Sequence, residues 1–123
     1  TYTPKGLVSS WVENSSITWS YTFNGVDLTS VSVTGVGNLL SLSYGDPNNP
    51  HAPTAVTDAG GRTWTRSYNS FGQLLTLTPL SLSPTGTTTY EYEETLSSAS
   101  YGYLKRVTNG DGEIVDFTLY SPL

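Results

Sequence analysis

Glycine and asparagine cut this 123-residue chain into short runs, and within each run large and small side chains alternate. The breaks fall at Pro4-Lys5-Gly6, Asn24-Gly25, Gly35-Val36-Gly37-Asn38, Ala59-Gly60-Gly61, Asn69-Ser70-Phe71-Gly72, Pro84-Thr85-Gly86 and Asn109-Gly110-Asp111-Gly112. Such residues accept the positive φ that tight hairpins demand. Between breaks the period is two. Arg62, Trp64, Arg66 and Tyr68 fall on one side of a strand, and Thr63, Thr65 and Ser67 on the other. Val31 with Val33, then Leu40, Leu42 and Tyr44, behave likewise, and Val115, Phe117 and Leu119 alternate with Ile114, Asp116 and Thr118. This pattern predicts half-buried antiparallel strands, about ten of them, and no helical stripe. The fold expected is all-β, an open-ended array of antiparallel hairpins forming one domain over residues 1–123.

Tyrosines recur at 2, 21, 44, 68 and 90, in steps of 19, 23, 24 and 22 residues. A period near 22 suits two strands and two turns. The next step, from Tyr90 to Tyr120, is 30, whereas Tyr101 to Tyr120 is again 19, so residues 91–100 are expected to be an insertion or loop. Composition supports strands over helices. There are 19 threonines and 17 serines, 12 glycines and 7 prolines, and charged residues make up only 12%. Hydroxyl side chains suit the wet face of a sheet, and glycine and proline break helices.

The same composition narrows function. Five basic residues and a net charge of −5 argue against a nucleic-acid partner, which needs clustered Lys and Arg. No apolar stretch nears the ~20 residues of a membrane-spanning helix. With no cysteine, disulfides, thiolate zinc sites and cysteine nucleophiles are excluded. No cofactor is implied. Few lysines with many hydroxyls and tyrosines lean towards an extracellular or cell-surface setting, and Asn14-Ser15-Ser16 is a glycosylation sequon.

The candidate chemistry is thin. Gly60-Gly61 cannot cradle a phosphate, because RTWTRSY after it is strand and not a helix start. His51 is the lone histidine, in a Pro/Asn loop with no nucleophile motif near it, and is expected to be solvated. Glu91, Glu93 and Glu94 form an acidic cluster in which Glu91 and Glu93 would share a strand face about 7 Å apart, a spacing found in any acidic strand. Asn109-Gly110-Asp111-Gly112-Glu113 faintly resembles a calcium loop but is explained by a hairpin turn. Neither catalytic nor metal-ligating residues are assigned. Trp11, Trp19 and Trp64 are the candidate carbohydrate-binding residues. The competing expectation is that these rings and the tyrosines fill a buried face, with Arg62 and Arg66 flanking Trp64.

The punctuation resembles the YD-repeat, or RHS-repeat, family. Tyr68-Asn69-Ser70-Phe71-Gly72-Gln73-Leu74 is similar to its Tyr-Asp segment, and Val56-Thr57-Asp58-Ala59-Gly60-Gly61-Arg62-Thr63 to its Asp-x-x-Gly turn. Val107-Thr108-Asn109-Gly110-Asp111-Gly112 repeats the turn, and the stretch from Asp46 to Thr54 resembles the proline-rich segment before it. Residues 44–77 match best. The Tyr-Asp dipeptide itself never occurs. The resemblance implies a spiralling antiparallel sheet, as in bacterial toxin shells and animal teneurins, and a structural, non-enzymatic role. The aspartyl self-cleavage motif of some bacterial members is absent. About ten strands are too few to close a shell, so both end strands would be unpaired. Two explanations follow: a segment of a longer chain, or identical copies joined head to tail into a filament. The expected partners are therefore neighbouring repeats or identical copies, with glycans as the partners of an alternative adhesive, carbohydrate-binding role.

Overall fold

A computed structural model describes residues 1–13, 16–80, 86–95 and 102–118. The sequon at Asn14 and the Pro84-Thr85 break lie outside the described residues. The strands are β1 (Ser10–Glu13), β2 (Ile17–Asn24), β3 (Asp27–Val33), β4 (Gly37–Ser43), β5 (Ala55–Asp58), β6 (Thr63–Tyr68), β7 (Leu74–Pro79), β8 (Thr88–Tyr92), β9 (Leu104–Thr108) and β10 (Ile114–Asp116). They form one antiparallel sheet in chain order, β1 to β10, and it does not close. Each strand touches only its neighbours in the chain.

Register sorts the two faces. One carries rows of rings and aliphatics: Trp11, Trp19 and Val33 across β1–β3; Tyr21, Val31 and Leu40 across β2–β4; Leu42, Val56, Trp64 and Pro79 across β4–β7; Tyr90, Val107 and Val115 across β8–β10. The other is a lattice of hydroxyls. Thr22, Ser30, Ser41, Thr57 and Thr63 stand in one row, and Ser67, Thr76, Thr89 and Thr108 in another. Thr57 Oγ1 meets Thr63 Oγ1 at 2.8 Å, and Ser67 Oγ meets Thr76 Oγ1 at 2.6 Å. Such cross-strand pairs contribute roughly 0.2–1 kcal/mol each. This lattice is where the surplus of Ser and Thr goes.

The expectation that rings fill a buried core is corrected. Among the described residues Val33 alone counts as buried, at 9% exposure, and no side chain is fully enclosed. Among the described residues no second layer lies over either face, so a ring is covered only by its lateral neighbours.

One turn recurs at the hairpin ends. In Asp58–Arg62, Asn69–Gln73 and Asn109–Glu113 the first residue's N–H donates to the fifth residue's carbonyl, at 2.9 Å each time. The fourth residue is a glycine at φ 76°, 77° and 84°, and its N–H donates back to the first carbonyl. The first side chain's Oδ1 accepts from the third and fifth backbone N–H groups, at 2.8–3.0 Å. Its remaining atom binds the fifth side chain: Asp58 with Arg62, Asn69 with Gln73, Asn109 with Glu113. Thr3–Leu7 is a simpler version, with Thr3 Oγ1 accepting from Leu7 N–H at 3.1 Å. Glu93 and Tyr103 close another: Glu93 N–H donates to Tyr103 carbonyl and Gly102 N–H to Glu93 carbonyl. There the glycine follows nine residues after the first position instead of three. Of the expected 91–100 insertion, Glu91 and Tyr92 are strand, and residues 96–100 lie outside the described residues.

Tyrosine hydroxyls tie each repeat to main-chain carbonyls of the chain before it. Tyr44 donates to Leu28 carbonyl at 2.8 Å, Tyr68 to Pro53 carbonyl at 2.8 Å, and Tyr92 to Leu74 carbonyl at 2.9 Å. These three are spaced by 24 residues. The expected series is thus corrected at two places: Tyr92 and not Tyr90 holds the repeat position, and Phe23 and not Tyr21 holds it in β2. Phe23, Tyr68 and Tyr92 each stand immediately after a register shift, where one strand carries an extra residue. That residue bends the ladder and aims the ring along the sheet.

Burial raises the pKa of Tyr44 above the usual phenol range, helped by the Asp27 and Tyr68 charges, and burial beside Tyr90 raises that of Tyr92. The folded value lies above the unfolded one, so this stabilisation is complete below the ordinary phenol pKa and is lost as pH rises through the folded value. Tyr→Phe at 44, 68 or 92 is expected to cost about 0.5–1.5 kcal/mol each, measured by urea unfolding. Tyr44→Phe and Tyr92→Phe should also flatten the alkaline fall in stability.

Candidate functional site

The three candidate tryptophans divide into two places. Trp11 and Trp19 face each other in register on β1 and β2. Trp11 is 60% exposed, and Trp19 Nε1 donates to Glu13 Oε2 at 3.4 Å. With Tyr21 they line an open hollow of about 340 Å³. Val33, the one buried residue among those described, registers with Trp19 on its other side, giving the platform a packed flank. Trp64 stands on the same face but on β6, four strands from Trp19. Its ring takes the Arg62 guanidinium, 5.8 Å from the centroid.

The other candidates are occupied with structure. His51 Nδ1 lies 2.8 Å from Asp27 Oδ1, so the exposed histidine anchors its loop to the start of β3. A shared face for Glu91 and Glu93 is corrected. Strand β8 ends at Tyr92, so Glu91 registers with Arg106, while Glu93 opens the long turn and its Oε1 accepts from Thr95 N–H at 2.8 Å. Arg106 grips Asp116 through two bonds, at 2.6 and 3.1 Å, and holds β10 to β9. In Asn109–Glu113 the side-chain oxygens face the turn's own N–H and amide donors, which is the hairpin explanation.

Two features escaped the sequence. The turns at 69–73 and 93–103 lie side by side, joined by Gln73 Nε2 donating to Gly102 carbonyl. Phe71, Gln73, Tyr92 and Glu94 line a hollow of about 490 Å³ there. Gly86 and Gly110 also touch backbone to backbone: a Cβ on Gly86 would come 2.3 Å from Gly110 Cα. The signal for the first was Gln73 at the fifth turn position, and for the second a lone glycine before β8.

Charge enters the turns at Asp58. The Arg62 guanidinium, bonded to Oδ2 at 2.7 Å, holds the Asp58 carboxyl below the usual carboxylate range against a small opposing effect of burial. With the folded value depressed, the contribution is present above the unfolded value and lost as pH falls through the folded one. Carboxyl NMR titration should place Asp58 below an ordinary aspartate, and Arg62→Gln should move it back upwards. An unchanged titration would separate the turn from the ion pair.

An RHS Repeat family model matches residues 51–79. This segment holds β5, β6 and β7 with the turns at 58–62 and 69–73. The match supports a partial array of the YD/RHS kind. No curated protein matches the chain. No helix among the described residues is long and apolar enough to cross a membrane.

Proposed function

We propose that this chain is a non-enzymatic structural scaffold: a stretch of extracellular or cell-surface shell or fibre built from RHS repeats. The observation that carries this is the mode of growth. Every strand contacts only the strands next to it in the chain, and the sheet has an unpaired side at each end among the described residues. At the first end, the Thr1 amine binds Ser10 carbonyl at 2.7 Å and Tyr2 bridges Val8, leaving Trp11–Glu13 uncovered. At the last end, Ile114, Val115 and Phe117 are exposed. A strand offering a free row of N–H and C=O groups accepts another strand. Neighbouring repeats or identical copies supply it, and copies joined head to tail make a filament.

Light scattering over a concentration series tests the copy-to-copy form. Mass should climb with concentration, and the amides of β1 and β10 should gain protection from hydrogen exchange as it does. A monomer at every concentration with fast-exchanging edge amides overturns it.

A second, adhesive role has a specific observation behind it, the platform of exposed Trp11 and half-buried Trp19 with Glu13 at its rim. Aromatic faces of this kind stack on sugar rings. Oligosaccharides should quench the tryptophan fluorescence, and Trp11→Ala should abolish the effect while Trp64→Ala leaves it. No quenching by a broad glycan panel removes this role.

A further inference from the structure

The chain holds two Asn-Gly dipeptides, and the fold treats them in opposite ways. Asn109-Gly110 opens the locked turn. Asn109 Oδ1 accepts from Asp111 N–H at 3.0 Å and Glu113 N–H at 2.8 Å, and Nδ2 donates to Glu113 Oε2 at 2.8 Å. Gly110 is itself wedged against Gly86. Asn24-Gly25 sits at the tip of the β2–β3 hairpin, where Asn24 registers with Asp27 across a two-residue loop. Asn24 is exposed, and its side chain has no hydrogen-bond partner among the described residues. Gly25, at φ 67°, has open space around it apart from Lys5 Nζ.

We propose that Asn24 is a site of spontaneous covalent modification: deamidation through a cyclic imide, with water as the co-reactant. The Gly25 amide nitrogen, giving up its proton, attacks Asn24 Cγ and forms the new C–N bond. The Cγ–Nδ2 bond breaks and ammonia leaves. Water then adds to one of the two imide carbonyls and opens the ring, giving aspartate or its β-linked isomer. Glycine after the asparagine matters because it has no side chain to hinder the attack. Neither Gly25 nor Gly110 N–H makes a hydrogen bond among the described residues, so the nucleophiles are alike. The difference lies in the electrophile. Asn109 must give up three hydrogen bonds and push Gly110 past Gly86 before Cγ can meet the nitrogen. Asn24 gives up none.

The product changes the hairpin. A carboxylate at position 24 stands in register with Asp27, the residue that holds His51. The β-linked isomer lengthens the main chain at the turn and disturbs the β2–β3 register.

The experiment ages the full chain at mildly alkaline pH, folded and in concentrated urea, and follows each site by peptide mapping with isoaspartate detection. In the folded protein, product at residue 24 should accumulate at least about tenfold faster than at residue 109, since the three bonds holding Asn109 outweigh that factor. In urea, where both are plain Asn-Gly pairs, the two rates should approach parity. Glu113→Ala should raise the rate at Asn109 and leave that at Asn24 unchanged. Equal rates in the folded chain, or faster reaction at Asn109, would overturn the proposal. So would a folded-state preference that survives unchanged in urea.

Discussion

A single side-chain oxygen accepting two backbone N–H groups is what the architecture rests on. At Asp58, Asn69 and Asn109 this oxygen satisfies donors that a sharp reversal would otherwise leave without partners. Glycine at the fourth position lets the chain pass through positive φ, and the first side chain is pinned by the fifth. The fifth partner is an arginine, a glutamine or a glutamate, so the geometry tolerates a cation, a neutral amide or an anion provided the first side chain complements it. The turn is therefore self-contained. It needs nothing from the rest of the molecule, which suits a sheet that has almost no interior.

That absence of interior shifts the burden of stability to lateral contacts. A layered domain gains most from burying apolar surface, at about 25 cal/mol per Å². Here one residue among those described is buried, so order must come from the ladder, the hydroxyl rows, the ring rows and the tyrosine ties. Each is modest, and each acts between adjacent strands. The consequence is a nearest-neighbour molecule, in which stability is the sum of local terms and any hairpin depends chiefly on those beside it.

The turns and strands were legible because their signals are local. Glycine, asparagine and alternation named the all-β array, and the breaks around Gly25, Gly61, Gly72 and Gly112 fall where the chain reverses. The repeat position was misread by two residues at both Phe23 and Tyr92. Residues two apart on a strand share a face, so Tyr90 and Tyr92 have the same parity, and only a register shift distinguishes them. A shift depends on how two strands pair and leaves no mark in either alone. The assumption of a core failed for a related reason. Ring content shows that something apolar must be sheltered, but not whether a second layer exists to shelter it. Of the candidate platform, Trp11 and Trp19 could have been paired from their spacing, since they stand eight positions apart. The distance of Trp64 from both follows only from counting strands.

The long turn from Glu93 to Tyr103 has a consequence for how such a sheet can change over time. Its main-chain closure is that of the compact turns, although six more residues lie within it. Extra sequence enters between Glu93 and Gly102 while β8 and β9 still pair beside it. Rim loops can then be lengthened, decorated or exchanged while the woven part stays as it is, much as beads can be threaded onto the fringe of a cloth without touching the weave.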